Sequence, residues 1–364
     1  VLRLIENFGF EQALTKINGM FALALYDKKF DKIFLGRDQN GQKPIYYHQN
    51  DNFFFFTSEL RNIDKIIKNL KISKKALQYF FQLSYVPEPL SIYENIFKLK
   101  KGHFLIFDIK NFSFKIESYN LQEQKLNLDN LNFNQKIKKF ENILLEATND
   151  HLISDVKNGT LLSGGIDSTI ITYAASRVSL NKIDTFCVKS NDKNYDESDH
   201  AIKTASQIGT NHHTLEFSQD DLFQSIINIH KVYDEPFGDS SQIPTYLLFK
   251  SINDKIKVAL SGDGGDELFY GYNRYEFLNK HYDKIKILNR KFRFLMSDLI
   301  KMVPESTYDN FNKILKLNYS NLGNKFHKIA NSLKFKNLEE LYFQIIRQDL
   351  SYNNLVNTKI DERN

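Results

Sequence analysis

The sequence predicts an α+β domain followed by an α/β domain with a doubly wound parallel sheet, and three observations carry that prediction. Up to residue 119, short apolar runs alternate with Asp, Asn and Gly turns, as in a layered sheet domain. Beyond Asn134, strand signals and helix signals take turns along the chain. Two of those strand signals, Thr160–Leu162 and Ile256–Leu260, run directly into Ser-Gly turns. Turns of this kind, at the carboxyl ends of neighbouring parallel strands, are where open α/β sheets bind ligands.

In the first domain, residues 1–119, the strands expected are Asn18–Asp27, Lys32–Asp38, Pro44–His48 and Asn52–Ser58. Ser73–Leu83 reads as a helix with Ser73 as its N-cap, because a hydroxyl there accepts from a first-turn amide that has no other partner. The Val86-Pro87-Glu88-Pro89 loop stops any continuation, since proline offers no N–H. Strands at Phe104–Ile109 and Phe112–Tyr119 close the domain, and His103, after a turn glycine, reads as structural. The polar run 120–134 is the linker and 135–364 the second domain. There, Ile137, Phe140, Leu144 and Ala147 share a helical face expected to pack. Thr160–Leu162 leads to a helix ending at Val178, and Ile183–Val188 to one spanning about Glu197 to Gln207. His213–Phe217 and Ile256–Leu260 are further strands, and from Lys280 onward the chain reads as helical, with basic faces toward solvent.

The first Ser-Gly turn is built for an anion. In Ser163-Gly164-Gly165-Ile166-Asp167-Ser168 the glycines allow a tight turn without a Cβ in the way, and two serine hydroxyls sit beside amides at a helix N-terminus. Asp167 is placed to hold a magnesium ion bridging phosphate oxygens. The bland alternative is a turn that merely links strand to helix. The Gly-Lys-Ser/Thr end of a Walker A loop is absent. The second turn, Ser261-Gly262-Asp263-Gly264-Gly265-Asp266-Glu267, begins 98 positions later and sets three acids among glycines, without the spacing of an EF-hand. The adjacent His212 and His213 have no cysteine or acid at metal-ligand spacing, and the single cysteine, Cys187, lies in an apolar run as a small core residue.

Composition excludes some classes of function. The net charge of +5 is interspersed with acids and forms no basic block, so nucleic-acid binding is not indicated. No apolar run approaches the ~18 residues of a membrane span. One cysteine makes no internal disulfide, which fits a reducing cytoplasm.

At these loops the chain resembles the glutamine-hydrolysing asparagine synthetases. Ser163–Ser168 is similar to the pyrophosphate loop of the ATP pyrophosphatase fold, and Ser261–Glu267 to the synthetase's second signature. Gly19-Met20-Phe21-Ala22, Arg37-Asp38, Gly41-Gln42-Lys43-Pro44 and Ser58-Glu59 resemble the later part of an N-terminal-nucleophile glutaminase sandwich, with Asn40 in place of the usual phenylalanine. The resemblance implies adenylation of the aspartate side chain by ATP, release of pyrophosphate, and displacement of AMP by ammonia drawn from glutamine. It implies that Asp167 and Asp266 hold Mg2+ and that Leu162 and Val188 flank the adenine. It implies too that Ser163, Gly164, Gly165, Ser168, Ser261 and Gly262 contact ATP, and that Asp263 is the catalytic acid, where some members carry Glu. Asp239 and Ser240, in the loop Asp234–Ser241, fall where the family approaches aspartate and pyrophosphate, unless that loop only caps the next helix.

The family's opening Cys-Gly, glutamine-holding arginine and Asn-Gly-Glu segment have no counterpart here, nor does its pyrophosphate-binding lysine. The expectation is therefore a chain truncated at both ends, without the glutaminase nucleophile, whose α-amino group would have served as base for the thiol. A homodimer is compatible with this reading. Two alternatives stay open: a relative that amidates another carboxylate or closes a lactam, and a regulatory protein that binds nucleotide without turnover.

Overall fold

The computed structural model describes residues 1–119, 127–190, 192, 196–314 and 322–348, which fall into two compact units, within Val1–Gly262 and Asp263–Ser351. The first unit opens with α1 (Leu2–Phe8) and α2 (Phe10–Leu14), which cover one face of an antiparallel sheet ordered β1-β2-β6-β7. Its strands are β1 (Ala22–Asp27), β2 (Lys32–Arg37), β6 (His103–Asp108) and β7 (Ser113–Ser118). A second antiparallel sheet, ordered β4-β3-β5, is formed by β3 (Tyr46–Gln49), β4 (Phe54–Thr57) and β5 (Phe97–Lys98).

Strict alternation along the strands makes a layered sandwich of these sheets. Leu35, Leu105 and Phe107 meet Tyr47 and Phe54 between the sheets, where Phe54 stacks on Phe107 at 4.1 Å. Their neighbours Phe34 and Phe104 point the other way, onto Phe10 and Leu14 of α2. Tyr46, beside Tyr47, turns outward beneath Leu60, Ile63, Ala76, Val86 and Ile92, a cluster to which α3 (Lys74–Leu83) contributes. Ser73 caps α3 as expected, accepting from the Ala76 amide.

Of the predicted linker, residues 120–126 lie outside the described residues, and its end is already the start of α4 (Phe133–Leu152), capped by Asn132 and Gln135 in a reciprocal box. The expected packing face of α4 is only partly right. Ile137 and Phe140 are 48% and 40% exposed, and the buried side runs through Thr148 with Leu144 and Leu145 half-buried.

The α/β region follows with β8 (Asn158–Leu161), α5 (Ile166–Val178), β9 (Asp184–Lys189), α6 (Ser198–Ile208), β10 (Asn211–Glu216), α7 (Gln219–Asn228), α8 (Gln242–Ile252) and β11 (Val258–Leu260). All strand pairings in this sheet are parallel and the order is β10-β9-β8-β11. On one face Phe186 packs with Leu248 and Ile252 of α8 and with Ile256. On the other, Leu162 and Cys187 meet Ala201 and Ala205 of α6, which accords with Cys187 as a core residue.

The second unit is helical: α9 (Gly265–Phe269), α10 (Asn273–Ile287), α11 (Arg290–Met302), α12 (Glu305–Ile314), α13 (Leu322–Ser332) and α14 (Leu338–Ile346). Leu278, Phe335 and Leu341 form its core. One basic residue departs from the expected solvent-facing pattern. Arg293 is 6% exposed, lies 4.1 Å over the Phe335 ring, and donates to the carbonyls of Leu333 and Phe335 at 3.2 Å. The ring takes the guanidinium face and the two carbonyls take Nη1, while the buried Nε has no partner among the described residues. Among the described residues, no helix is long and apolar enough to cross a membrane.

Candidate active site

Strand order places the two Ser-Gly turns side by side. From β8 the chain builds outward through β9 and β10, then returns to lay β11 against the other edge of β8. Helices of a doubly wound sheet diverge at such a reversal and leave a crevice above the carboxyl ends of the two strands. Leu260 pairs with Thr160 in register, so both chains leave the sheet at the same level. At Gly262 a Cβ would stand 2.7 Å from the Ser168 amide nitrogen and 2.9 Å from the Asp167 Cβ. Only glycine lets the second loop close on the first turn of α5.

The first loop is organised around Ser168, which is buried. Its hydroxyl donates to the Gly165 carbonyl at 3.1 Å, accepts from the Ser163 amide at 3.3 Å, and lies 3.0 Å from the Ser163 hydroxyl. Gly165 takes the N-cap position of α5, so no capping side chain covers the first-turn amides. Those amides, with the positive end of the helix behind them, are an anion seat. Gly164 has φ +88°, and a Cβ there would stand 2.8 Å from the Cβ of His200. Both facts require glycine, and they make the start of α6 a wall of the loop. His200 is a neighbour that the sequence does not disclose, because nothing local links positions 164 and 200. Further in, the Thr160 and Thr172 hydroxyls, 2.9 Å apart and buried, tie β8 to α5.

The other predicted residues take varied places. Leu162 is fully buried and donates its amide to the Phe186 carbonyl at 2.9 Å, within the sheet layer. Val188 is half-buried in the cluster around Phe186. Asp167 is half-buried in the first turn of α5, and its carboxylate makes no hydrogen bond or ion pair among the described residues. Ser261 and Gly262 end the first unit, whereas Asp263 and Asp266 belong to the second. There, Gly264 in a left-handed conformation starts α9, with Asp266 and Glu267 in its first turn. Glu267 accepts from the Tyr272 hydroxyl at 2.7 Å and so is engaged locally. Among the described residues, no three histidine, cysteine or acidic side chains gather as a metal cluster. For magnesium, which binds through one or two carboxylates plus substrate phosphates and water, the donor set at Asp167 beside open amides is chemically suitable.

The histidine pair is structural. His212 and His213 point to opposite faces of β10. His212 Nδ1 lies 2.8 Å from the Thr185 hydroxyl and its Nε2 3.4 Å from Cys187 Sγ, and burial pushes the thiol's pKa up. His213 Nε2 lies 3.1 Å from Asp184, a buried carboxylate that also takes Lys157 at 2.6 Å and Asn211. Burial raises the Asp184 pKa, but those three partners outweigh it and the net shift is downward.

Arg37-Asp38 is a closed knot. Arg37 donates to the carbonyls of Leu99 and Gly41 at 2.6 Å and Lys43 at 2.9 Å, and pairs with Glu88 at 2.9 Å. Asp38, 1% exposed, accepts from the amides of Asn40, Gln42 and Lys43.

The loop Asp234–Ser241 joins the two halves of the first unit. Asp234 accepts from the Leu60 amide at 2.7 Å and pairs with Arg61 at 2.8 Å. Glu235 accepts from the Ile92 amide at 2.8 Å, pairs with Lys98 at 2.5 Å, and takes the Tyr46 hydroxyl at 3.3 Å. At its other end Asp239 accepts from the Ser241 amide at 2.8 Å, in the turn that leads into α8, whose N-cap Ser241 carries no side-chain cap bond.

A Methanocaldococcus jannaschii protein named as a glutamine-hydrolysing asparagine synthetase is 38% identical over 75% of this chain and 53% of its own length. Bacillus subtilis asparagine synthetase (glutamine-hydrolysing) 1 is 32% identical over 73% of this chain and 41% of its own. The chain thus spans about half the length of the relatives it matches. Among solved structures, the NH3-dependent NAD synthetase of Campylobacter jejuni overlays 55% of this chain and 97% of its own at 15% identity, with a TM-score of 0.28. Residues 1–120 match the glutamine amidotransferase domain. Residues 139–357 match asparagine synthase, and the chain belongs to the asparagine synthase family.

Proposed function

We propose that this chain is the amidotransferase-synthetase portion of an enzyme that converts aspartate to asparagine with ATP, taking ammonia from glutamine and releasing AMP and pyrophosphate. The observation that supports it most is Gly262, seated without a Cβ against the first turn of α5 at the switch point of the sheet. On this reading the uncapped amides beside Gly164, Gly165 and Ser168 bind the leaving pyrophosphate as negative charge develops on it. The aspartate side-chain carboxylate attacks the α-phosphorus, the bond to pyrophosphate breaks, and a β-aspartyl adenylate forms. Ammonia then attacks the acyl carbon, AMP departs, and one proton is lost from nitrogen. Asp263 accepts that proton. By the family resemblance Asp167 and Asp266 would hold magnesium, which when bound would neutralise phosphate charge. The backbone at Leu162 and the side of β9 at Val188 flank the adenine, with Ser261 and Gly262 against the nucleotide.

The test is pyrophosphate release from ATP with ammonium present and single carboxylic acids added in turn. Release that depends on aspartate and yields asparagine is the expected result. Release with a different acid would move the chain to another acceptor, and ATP binding without release under any acid would leave a regulatory protein.

A further inference from the structure

We propose that Asp234 and Glu235 are positioning residues that hold the glutaminase-type sandwich in register with the synthetase sheet, so that nitrogen from glutamine reaches the adenylate; this rests on the function proposed above. Both carboxylates are taken out of water, with 14% and 13% side-chain exposure, and each is spent wholly on the sandwich. Glu235 enters the edge of the apolar cluster of Tyr46, Val86 and Ile92. Lys98, 15% exposed, reaches it while also donating to the Val86 carbonyl at 2.6 Å. Burial, then the charge of Glu235, raises the Tyr46 phenol pKa, so the hydroxyl keeps its proton and its donor role.

Asp234 grips the residues that follow Ser58-Glu59. Arg61, bound to Asp234, lies 3.3 Å from Glu59 and returns two donors to the Lys231 and Val232 carbonyls at 2.7 and 3.0 Å. Gly238 adds a backbone bond to the Ser84 carbonyl at 2.7 Å. Four residues later the chain is inside α8, whose Leu248 and Ile252 pack on Phe186 of the parallel sheet. A single short loop therefore has one end fixed to the glutaminase motif and the other to the layer that carries the nucleotide crevice. Burying these two carboxylates adds little to stability, since buried pairs roughly break even against desolvation; fixing geometry is the use that remains.

The experiment uses the full-length protein and compares nitrogen sources. In Glu235→Gln and in Asp234→Asn, asparagine formation from ammonium stays within about twofold, whereas the ratio of glutamate released to asparagine formed from glutamine rises at least fivefold, an order-of-magnitude expectation for a displaced reacting partner. Arg61→Gln, at a half-exposed position, repeats the test should the buried variants fold poorly. An unchanged ratio, or an equal loss with both nitrogen sources, overturns the proposal. Absence of ammonium-dependent asparagine in the unaltered protein instead overturns the function on which it rests.

Discussion

Arg37-Asp38 and Ser163–Ser168 are equally prominent as motifs, yet the two loops are built in opposite ways. Around Arg37 and Asp38, charged and polar groups are satisfied from within: guanidinium to carbonyls and Glu88, carboxylate to three amides. Around Ser168 the hydroxyls bond one another, while the amides at the helix start have no side chain over them and the Asp167 carboxylate makes no bond among the described residues. Ile166 is 78% exposed and Asp167 half-buried, so these groups stand open to a ligand that replaces their water. A motif whose bonds are closed maintains shape, and one whose bonds are open binds.

Three substitutions test that distinction. The largest effect is expected at the chemistry itself: Asp263→Asn should lower asparagine formation from aspartate, ATP and ammonium by about 10²–10⁴-fold, the usual worth of a general acid or base, with ATP binding retained. Unchanged asparagine formation would remove Asp263 from the reaction. Next, Arg37→Met should cost about 3 kcal/mol of stability in urea unfolding, toward the low end for a broken buried pair because Glu88 keeps some solvent access. Folded Arg37→Met should still bind ATP as before; weaker binding would mean the knot is part of the site. Smallest, Gly262→Ala should raise the ATP Kd by about 10- to 100-fold, or ~1.4–2.8 kcal/mol, through the Cβ forced against Ser168 and Asp167. An alanine variant that binds ATP normally would show that the two loops do not need their close approach.

Much of this organisation is legible in the amino-acid sequence. The alternation around Phe34-Leu35, Tyr46-Tyr47 and Phe104-Leu105 reads directly as two-faced strands, and Ser73 as a cap. The α4 face departs from its expectation because Ile137 and Phe140 have helical spacing but little over them, and spacing reports which residues share a side without saying what covers it. Arg293 departs for the converse reason: a basic residue among lysines looks solvated until Phe335, 42 positions on, offers it a ring and a carbonyl.

By itself the sequence determined the elements and the kind of chemistry their loops suit, because strand period, glycine turns and caps act over a few residues. What only the tertiary structure decided is which of those loops meet. β11 returns to the edge of β8 and thereby creates the crevice; α6 brings His200 against Gly164; and Glu235 reaches Ile92 and Tyr46 across 143 and 189 positions. Such contacts carry no local signature, since each partner's residue type is compatible with solvent. They form because packing the sheet faces leaves these groups dry and near one another, and a dry carboxylate takes the nearest donors that the fold supplies.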